Sequence, residues 1–259
     1  MDQVRIGVVG LGWVAQVFHL PLLSKFPDVK LLAVCDKNKE QARQIAEKFN
    51  VPSFYGDYEQ MLAKEELDAV IVCTSTDAHL PIALAVMESG RDVFVEKPIA
   101  RLYAEAVKIT EASKETKRKL MVGMNSRFRP DIMILKSMVE EGELGKVFYC
   151  KAGWLKKIQP SQSWFMKKEK SGGGVILDLG IVMLDLALWL TGFPSVVRVS
   201  AKTYQTASKS VEDSAICFIE LKSGISLVLE TSWSFRSEND FFYCDLYGAD
   251  GSAQVNPLR

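Results

Sequence analysis

The sequence predicts an α/β protein in two parts: an N-terminal doubly wound parallel sheet, then an α+β domain on a mostly antiparallel open sheet. Three observations carry this. Apolar Val4 to Val9 runs into Gly10-Leu11-Gly12-Trp13-Val14-Ala15 and an apolar helix, and a second apolar run, Leu31 to Cys35, ends on Asp36. Strand-like runs then alternate with helical patterns up to residue 124, which implies parallel crossovers. From residue 125 onward, longer strand-like runs follow one another through turns, which implies antiparallel pairing.

The first 36 residues form the strand–turn–helix–strand pattern of a dinucleotide-binding, or Rossmann, fold. Gly10 permits a tight turn, and Gly12 lets backbone approach a pyrophosphate without a Cβ in the way. Ala15 keeps the helix close to the sheet, while Trp13 and Val14 open the helix whose free N–H groups face the phosphates. Asp36 stands ~20 residues beyond the glycines, where a carboxylate takes the two ribose hydroxyls. That acid favours NAD over NADP, since a 2′-phosphate would meet like charge; Lys37 and Lys39 keep NADP open.

Further strands are expected at 53–55, 69–73, 92–95 and 119–123. Helices are expected at 14–25, 39–49, 58–64, 81–89 and 103–116. Residues 1–124 therefore form the dinucleotide-binding domain, and residues 125–259 an α+β substrate and oligomerisation domain. The latter has strands near 147–154, 196–204, 215–221, 225–233 and 241–246 and one long helix over 175–191. After the turn Tyr247-Gly248-Ala249-Asp250-Gly251, residues 253–255 begin what looks like another strand. The ending reads either as a piece of a longer chain or as a minimal domain.

The 259 residues are 48% apolar and 25% charged, with zero formal net charge, which suits a globular core. Zero net charge points to neither nucleic acid nor an anionic membrane as partner. No apolar run reaches membrane-spanning length, and no signal peptide precedes the first strand. The five cysteines are dispersed without a CxxC, so buried reduced thiols in a cytoplasmic protein are expected, with no metal site.

Two segments carry candidate chemistry. Asp92 to Val95 ends in Glu96-Lys97-Pro98. Ligands of doubly wound folds bind at the carboxyl ends of strands, so Glu96 and Lys97 face the cofactor crevice, unless the segment is an ordinary surface loop. Pro98 keeps Lys97 extended and is a candidate cis proline. A partly desolvated lysine beside a hydroxyl acts as an acid or hydrogen-bond donor. The second segment, Ser171-Gly172-Gly173-Gly174, opens the long helix on which Asp178, Val182 and Asp185 share one face. Two carboxylates in so apolar a helix require partners, in a polar cavity or a capping network.

Together, the glycine fingerprint with Asp36, then Glu96-Lys97-Pro98, then the glycine run with Asp178, resemble the Gfo/Idh/MocA family of NAD(P)-dependent sugar and cyclitol oxidoreductases. Thr74-Ser75-Thr76-Asp77-Ala78-His79, Gly123-Met124-Asn125-Ser126-Arg127-Phe128 and Trp164-Phe165 add to the resemblance, which covers nearly the whole chain. It implies hydride transfer at NAD between a ring hydroxyl and its ketone. It places Lys97 beside the reacting hydroxyl and Asp178 at a substrate contact. Thr74, Ser75, Thr76 and His79 join Glu96 and Lys97 on the cofactor side. Asn125, Arg127, Lys156 and Trp164 are candidate substrate contacts, with Lys157 beside Lys156. A homo-oligomer, dimer or tetramer, built through the open face of the second sheet is also implied.

The sequence departs from the family at one position. The usual acid/base is a histidine four residues after the aspartate, and here that residue is Val182. Losing such a base costs ~10²–10⁴-fold in rate. Either Lys97 takes over the proton, or another group does, or the protein binds its cofactor without turnover. Of the two histidines, His19 lies inside the first helix as a packed or surface residue, and His79 starts a helix as a cofactor or cap contact. The function expected is a dehydrogenase with Lys97 central and Asp178 assisting. The alternatives are a catalytically silent NAD-binding regulator or scaffold, and redox-neutral elimination or hydrolysis with the nicotinamide retained.

Overall fold

A computed structural model of the chain describes residues 3–156 and 164–255. It divides into two compact units, Met1–Gly123 and Met124–Arg259.

The first unit alternates strand and helix throughout. Its strands are β1 (Val4–Val9), β2 (Val29–Cys35), β3 (Ser53–Tyr55), β4 (Ala69–Val72), β5 (Asp92–Val95) and β6 (Leu120–Val122), all in parallel pairs in the order β3-β2-β1-β4-β5-β6. The order reverses between β1 and β4, the switch point at which such sheets take ligands. The first helix begins as a π turn, Ala15–His19, and continues as α1 (Leu20–Leu23). Next come α2 (Lys39–Phe49) and α3 (Tyr58–Lys64), whose first turns are capped by the Asn38 and Asp57 side chains. They are followed by α4 (His79–Glu88) and α5 (Tyr103–Thr116). One face of the sheet buries Val9, Val70, Val72, Val93 and Val95 against Ile82, Val86 and Ile109; the other buries Val8 and Val34 against Leu20 and Ile45.

The second unit opens with α6 (Pro130–Glu140), which the sequence pattern did not show, followed by β7 (Val147–Leu155) and α7 (Lys168–Ser171). A π turn, Ile176–Gly180, leads into α8 (Ile181–Leu190). The remaining strands are β8 (Val196–Tyr204), β9 (Ser214–Leu221), β10 (Ser226–Ser232), β11 (Phe241–Gly248) and β12 (Ser252–Val255). They make a sheet in the order β12-β11-β7-β10-β9-β8, antiparallel except for the β10–β7 pair. Met183, Leu186 and Leu190 of α8 fill one face of it against Cys150, Ile219, Leu227, Leu229 and Leu246.

The helical stretch Lys168–Leu190 corrects one sequence expectation, being long and apolar enough to cross a membrane by length and composition. Asp178, Gly180 and Asp185 interrupt the apolar run in the sequence and are carried within the helix, while Gly172 to Gly174 form a bend ahead of it. Half of it is buried inside the protein, as befits the core helix of this sheet.

Candidate active site

In the first unit the glycine loop leaves β1 at the switch point. Gly10 has φ +88°, and a Cβ there would lie 2.6 Å from the Thr74 backbone nitrogen at the exit of β4. The two loops therefore touch backbone to backbone. Leu11 N–H donates to Asp36 Oδ2 at 2.9 Å, and Asn38 N–H donates to Asp36 Oδ1 at 2.9 Å. The Leu11 carbonyl in turn accepts from the side-chain amides of Gln16 and Gln41, each at 2.7 Å. A Cβ on Gly12 would meet nothing within 4 Å. A loop pinned on both sides with an open, side-chain-free crest fits the pyrophosphate of a dinucleotide. Trp13 is exposed and set edge-on to Phe18, Val14 is half-buried, and Ala15 is buried under the sheet.

At the exit of β5, the Lys97–Pro98 peptide bond is cis. Glu96 Oε2 accepts from Lys97 N–H at 3.2 Å, and its Oε1 lies 2.7 Å from His19 Nε2. His79, at 1% exposure, has Nδ1 3.0 Å from the Pro98 carbonyl and Nε2 3.2 Å from the Thr74 carbonyl. Burial lowers the His79 imidazole from its ordinary value, against the pull of those carbonyls. The unfolded chain binds a proton here near pH ~6.5 while the folded chain resists it, so stability falls as pH drops below that value. Urea unfolding between pH 5 and 7 (approximate bounds) is expected to show this loss, reduced in His79→Asn.

In the second unit, the glycine run is the N-terminus of the long helix. Gly174 N–H donates to Glu212 Oε1 at 2.8 Å, Ile176 N–H reaches the same oxygen at 3.3 Å, and Val175 N–H donates to the Glu212 carbonyl at 2.9 Å. An acid at this end satisfies open N–H groups and the helix dipole together. One turn on, Asp178 Oδ2 accepts from the Trp233 indole N–H at 3.0 Å. Asp185 receives Arg127 in a forked pair, Nε to Oδ2 at 2.8 Å and Nη2 to Oδ1, and the Arg127 guanidinium lies 5.2 Å from the Phe193 ring. Val182, between the two aspartates, is buried at 4% exposure.

The oxidoreductase family with an NAD-binding Rossmann fold matches residues 4–124, and the GFO/IDH/MocA C-terminal domain matches residues 132–254. The D-glucoside 3-dehydrogenase of Escherichia coli K12 is 33% identical over 251 residues, covering 91% of this chain and 72% of that protein. The chain belongs to the Gfo/Idh/MocA oxidoreductase family. Scyllo-inositol 2-dehydrogenase (NAD(+)) of Bacillus subtilis 168 is 29% identical, over 99% of this chain and 75% of that one. Among solved structures, GenD2 from gentamicin A biosynthesis, in complex with NAD, superposes with a TM-score of 0.92 at 27% identity. That match covers 99% of this chain and 73% of that one.

In this Gfo/Idh/MocA member both ring nitrogens of His79 lie against backbone carbonyls in the interior. Thr76 is likewise interior at 2% exposure, while Thr74 and Ser75 stay half-buried on the loop. Arg127, expected at the substrate, is paired with Asp185. Asn125 is exposed on a short 3-10 turn, Lys156 lies over the Trp154 ring at 5.4 Å, and Trp164 is 38% exposed. Lys157 falls outside the described residues. Gln16, Gln41, Glu212 and Trp233 hold the site loops and were missed, since each acts through contacts that no periodic pattern reveals. The thiols are free and mostly interior, and burial pushes Cys35 up to about 12, which argues against nucleophilic cysteine chemistry.

Proposed function

We propose that this oxidoreductase is an NAD-dependent dehydrogenase of sugar or cyclitol ring hydroxyls, reversibly reducing the ketone, with Lys97 handling the proton. The observation that carries this is the pairing, within one sheet, of the glycine loop anchored on Asp36 with Lys97 at the exit of β5. When bound, NAD supplies the hydride acceptor. Gly10 and Gly12 admit its pyrophosphate, and Asp36 takes the ribose hydroxyls and repels a 2′-phosphate, hence NAD before NADP. Lys97 donates a hydrogen bond to the substrate hydroxyl oxygen and, as the neutral amine, takes its proton while the carbon is oxidised. In the second unit Asp178, oriented by Trp233, is the carboxylate proposed to accept from a substrate hydroxyl.

The substrate class rests on the relatives named D-glucoside 3-dehydrogenase and scyllo-inositol 2-dehydrogenase. The test is NADH formation from NAD with glucosides, glucose, myo-inositol and scyllo-inositol. Turnover of at least one is expected. Binding of NAD without turnover of any sugar or cyclitol would give way to the second reading, a cofactor-binding regulator or scaffold, which Val182 in place of a histidine favours.

The chain is also proposed to form a homo-oligomer through the sheet face turned away from α8. That face carries Ile216 and Phe218, 48% and 39% exposed, beside Val228 and the stacked Tyr149–Tyr247 pair. Light scattering is expected to give a multiple of the chain mass, reduced by Phe218→Glu. A monomeric wild type would overturn this reading.

A further inference from the structure

The chain has two histidines, and both bind the segment that carries Lys97, one on each side of it. His19 Nε2 lies 2.7 Å from Glu96 Oε1, with both side chains about one-fifth exposed, at 18% and 19%. The His19 ring is further held edge-on against Phe94 of β5, centroids 5.4 Å apart. The other oxygen of Glu96 accepts from the Lys97 N–H itself. Gly123 leaves room for that carboxylate, since a Cβ there would stand 3.1 Å from Glu96 Oε2. On the far side, His79 Nδ1 meets the Pro98 carbonyl at 3.0 Å. Its Nε2 lies 3.2 Å from the Thr74 carbonyl, so the ring sits between the β5 exit and the β4 exit that Gly10 abuts.

A lysine amine stands at the end of a flexible four-carbon stem, so the main chain that anchors the stem limits where the amine can reach. We propose that His19 and His79 are positioning residues that clamp the Glu96-Lys97-Pro98 backbone from both sides and so set where the Lys97 amine stands. The clamp acts through Glu96 and through the Pro98 carbonyl. It rests on the assignment of Lys97 made above, and it gives both histidines a part in the reaction that neither performs by proton transfer.

Each ring nitrogen has an atom-for-atom substitute, which separates positioning from bulk. Glutamine at 19 keeps a donor where Nε2 stands, and alanine removes it. At 79, asparagine keeps the donor toward Pro98 at the Nδ1 position, while glutamine moves it to the Nε2 position facing Thr74. The lysines are methylated reductively with isotope-labelled formaldehyde, and the Lys97 signal is assigned by its loss in Lys97→Arg. His19→Ala and His79→Gln are expected to shift the Lys97 signal, and His19→Gln and His79→Asn to restore it. With a sugar or cyclitol that the wild type oxidises, His19→Ala and His79→Gln are expected to lower kcat by ~10–100-fold, the cost of misplacing a reacting group. NAD affinity is expected to stay near that of the wild type, and the donor-keeping variants to recover most of the loss.

If no sugar or cyclitol is turned over by the wild type, the dehydrogenase reading fails while the Lys97 signal still decides the clamp. An unmoved signal in both His19→Ala and His79→Gln overturns the clamp. So does a His79→Asn protein that loses as much as His79→Gln, with both losses tracking a fall in thermal midpoint, since that is the behaviour of a merely structural histidine.

Discussion

Lys97→Met is expected to lower kcat for NADH formation by ~10²–10⁴-fold while the protein remains folded and binds NAD. Methionine matches the lysine stem as far as Cε, with sulfur for the δ-methylene, and lacks the amine, so the change bears on proton handling and the hydrogen bond to the substrate hydroxyl. Its backbone N–H still donates to Glu96 Oε2, so the loop keeps its shape. Stopped-flow single turnover with NAD and a sugar accepted by the wild type measures the effect. A variant within ~3-fold of the wild type would remove Lys97 from the chemistry and point to another base.

Gly174→Ala is expected to cost ~3 kcal/mol or more of the second unit's stability, at the upper end for a single substitution. The added Cβ would stand 1.9 Å from the Glu212 carbonyl oxygen, with other Glu212 backbone atoms within 3.0 Å. Neither chain can withdraw cheaply, because that carbonyl accepts from Val175 N–H and the Glu212 carboxylate accepts from Gly174 N–H. Gly173→Ala is the control. Its Cβ would press only on the tip of Leu177 at 3.2 Å, a flexible side chain able to yield. Urea unfolding followed by tryptophan fluorescence compares the two. Equal losses would show that the run needs glycine for backbone freedom rather than for contact with Glu212.

Much of this architecture was legible because local chemistry repeats in a regular way. The alternation of apolar runs with helical patterns located all six strands of the first sheet, and the glycine fingerprint located its switch point. The long helix through Asp178 and Asp185 was likewise visible from its apolar content. The sequence was silent where a contact joins distant positions. Arg127 meets Asp185 across 58 residues, Gly174 meets Glu212 across 38, and Trp233 meets Asp178 across 55. No spacing rule connects such pairs, so the acid that pairs with Arg127 was not legible. The interior setting of His79 was hidden for the same reason, since its burial is set by loops that close over it rather than by its place at a helix start. The parallel β7–β10 pair inside an otherwise antiparallel sheet was also hidden, because order within a sheet is a tertiary fact.

The two backbone N–H groups held by Asp36 have a consequence for the engineering of this fold. A designer wishing to admit a phosphorylated ribose would begin by removing that acid. The same atoms hold Leu11 in the glycine loop and Asn38 ahead of α2, so the group proposed to discriminate is also a strut of the turn beside it. Exchange of one nucleotide for another therefore cannot be made at this residue alone. It requires a compensating acceptor for the Leu11 N–H, and variation at this position is constrained by the turn before selectivity enters.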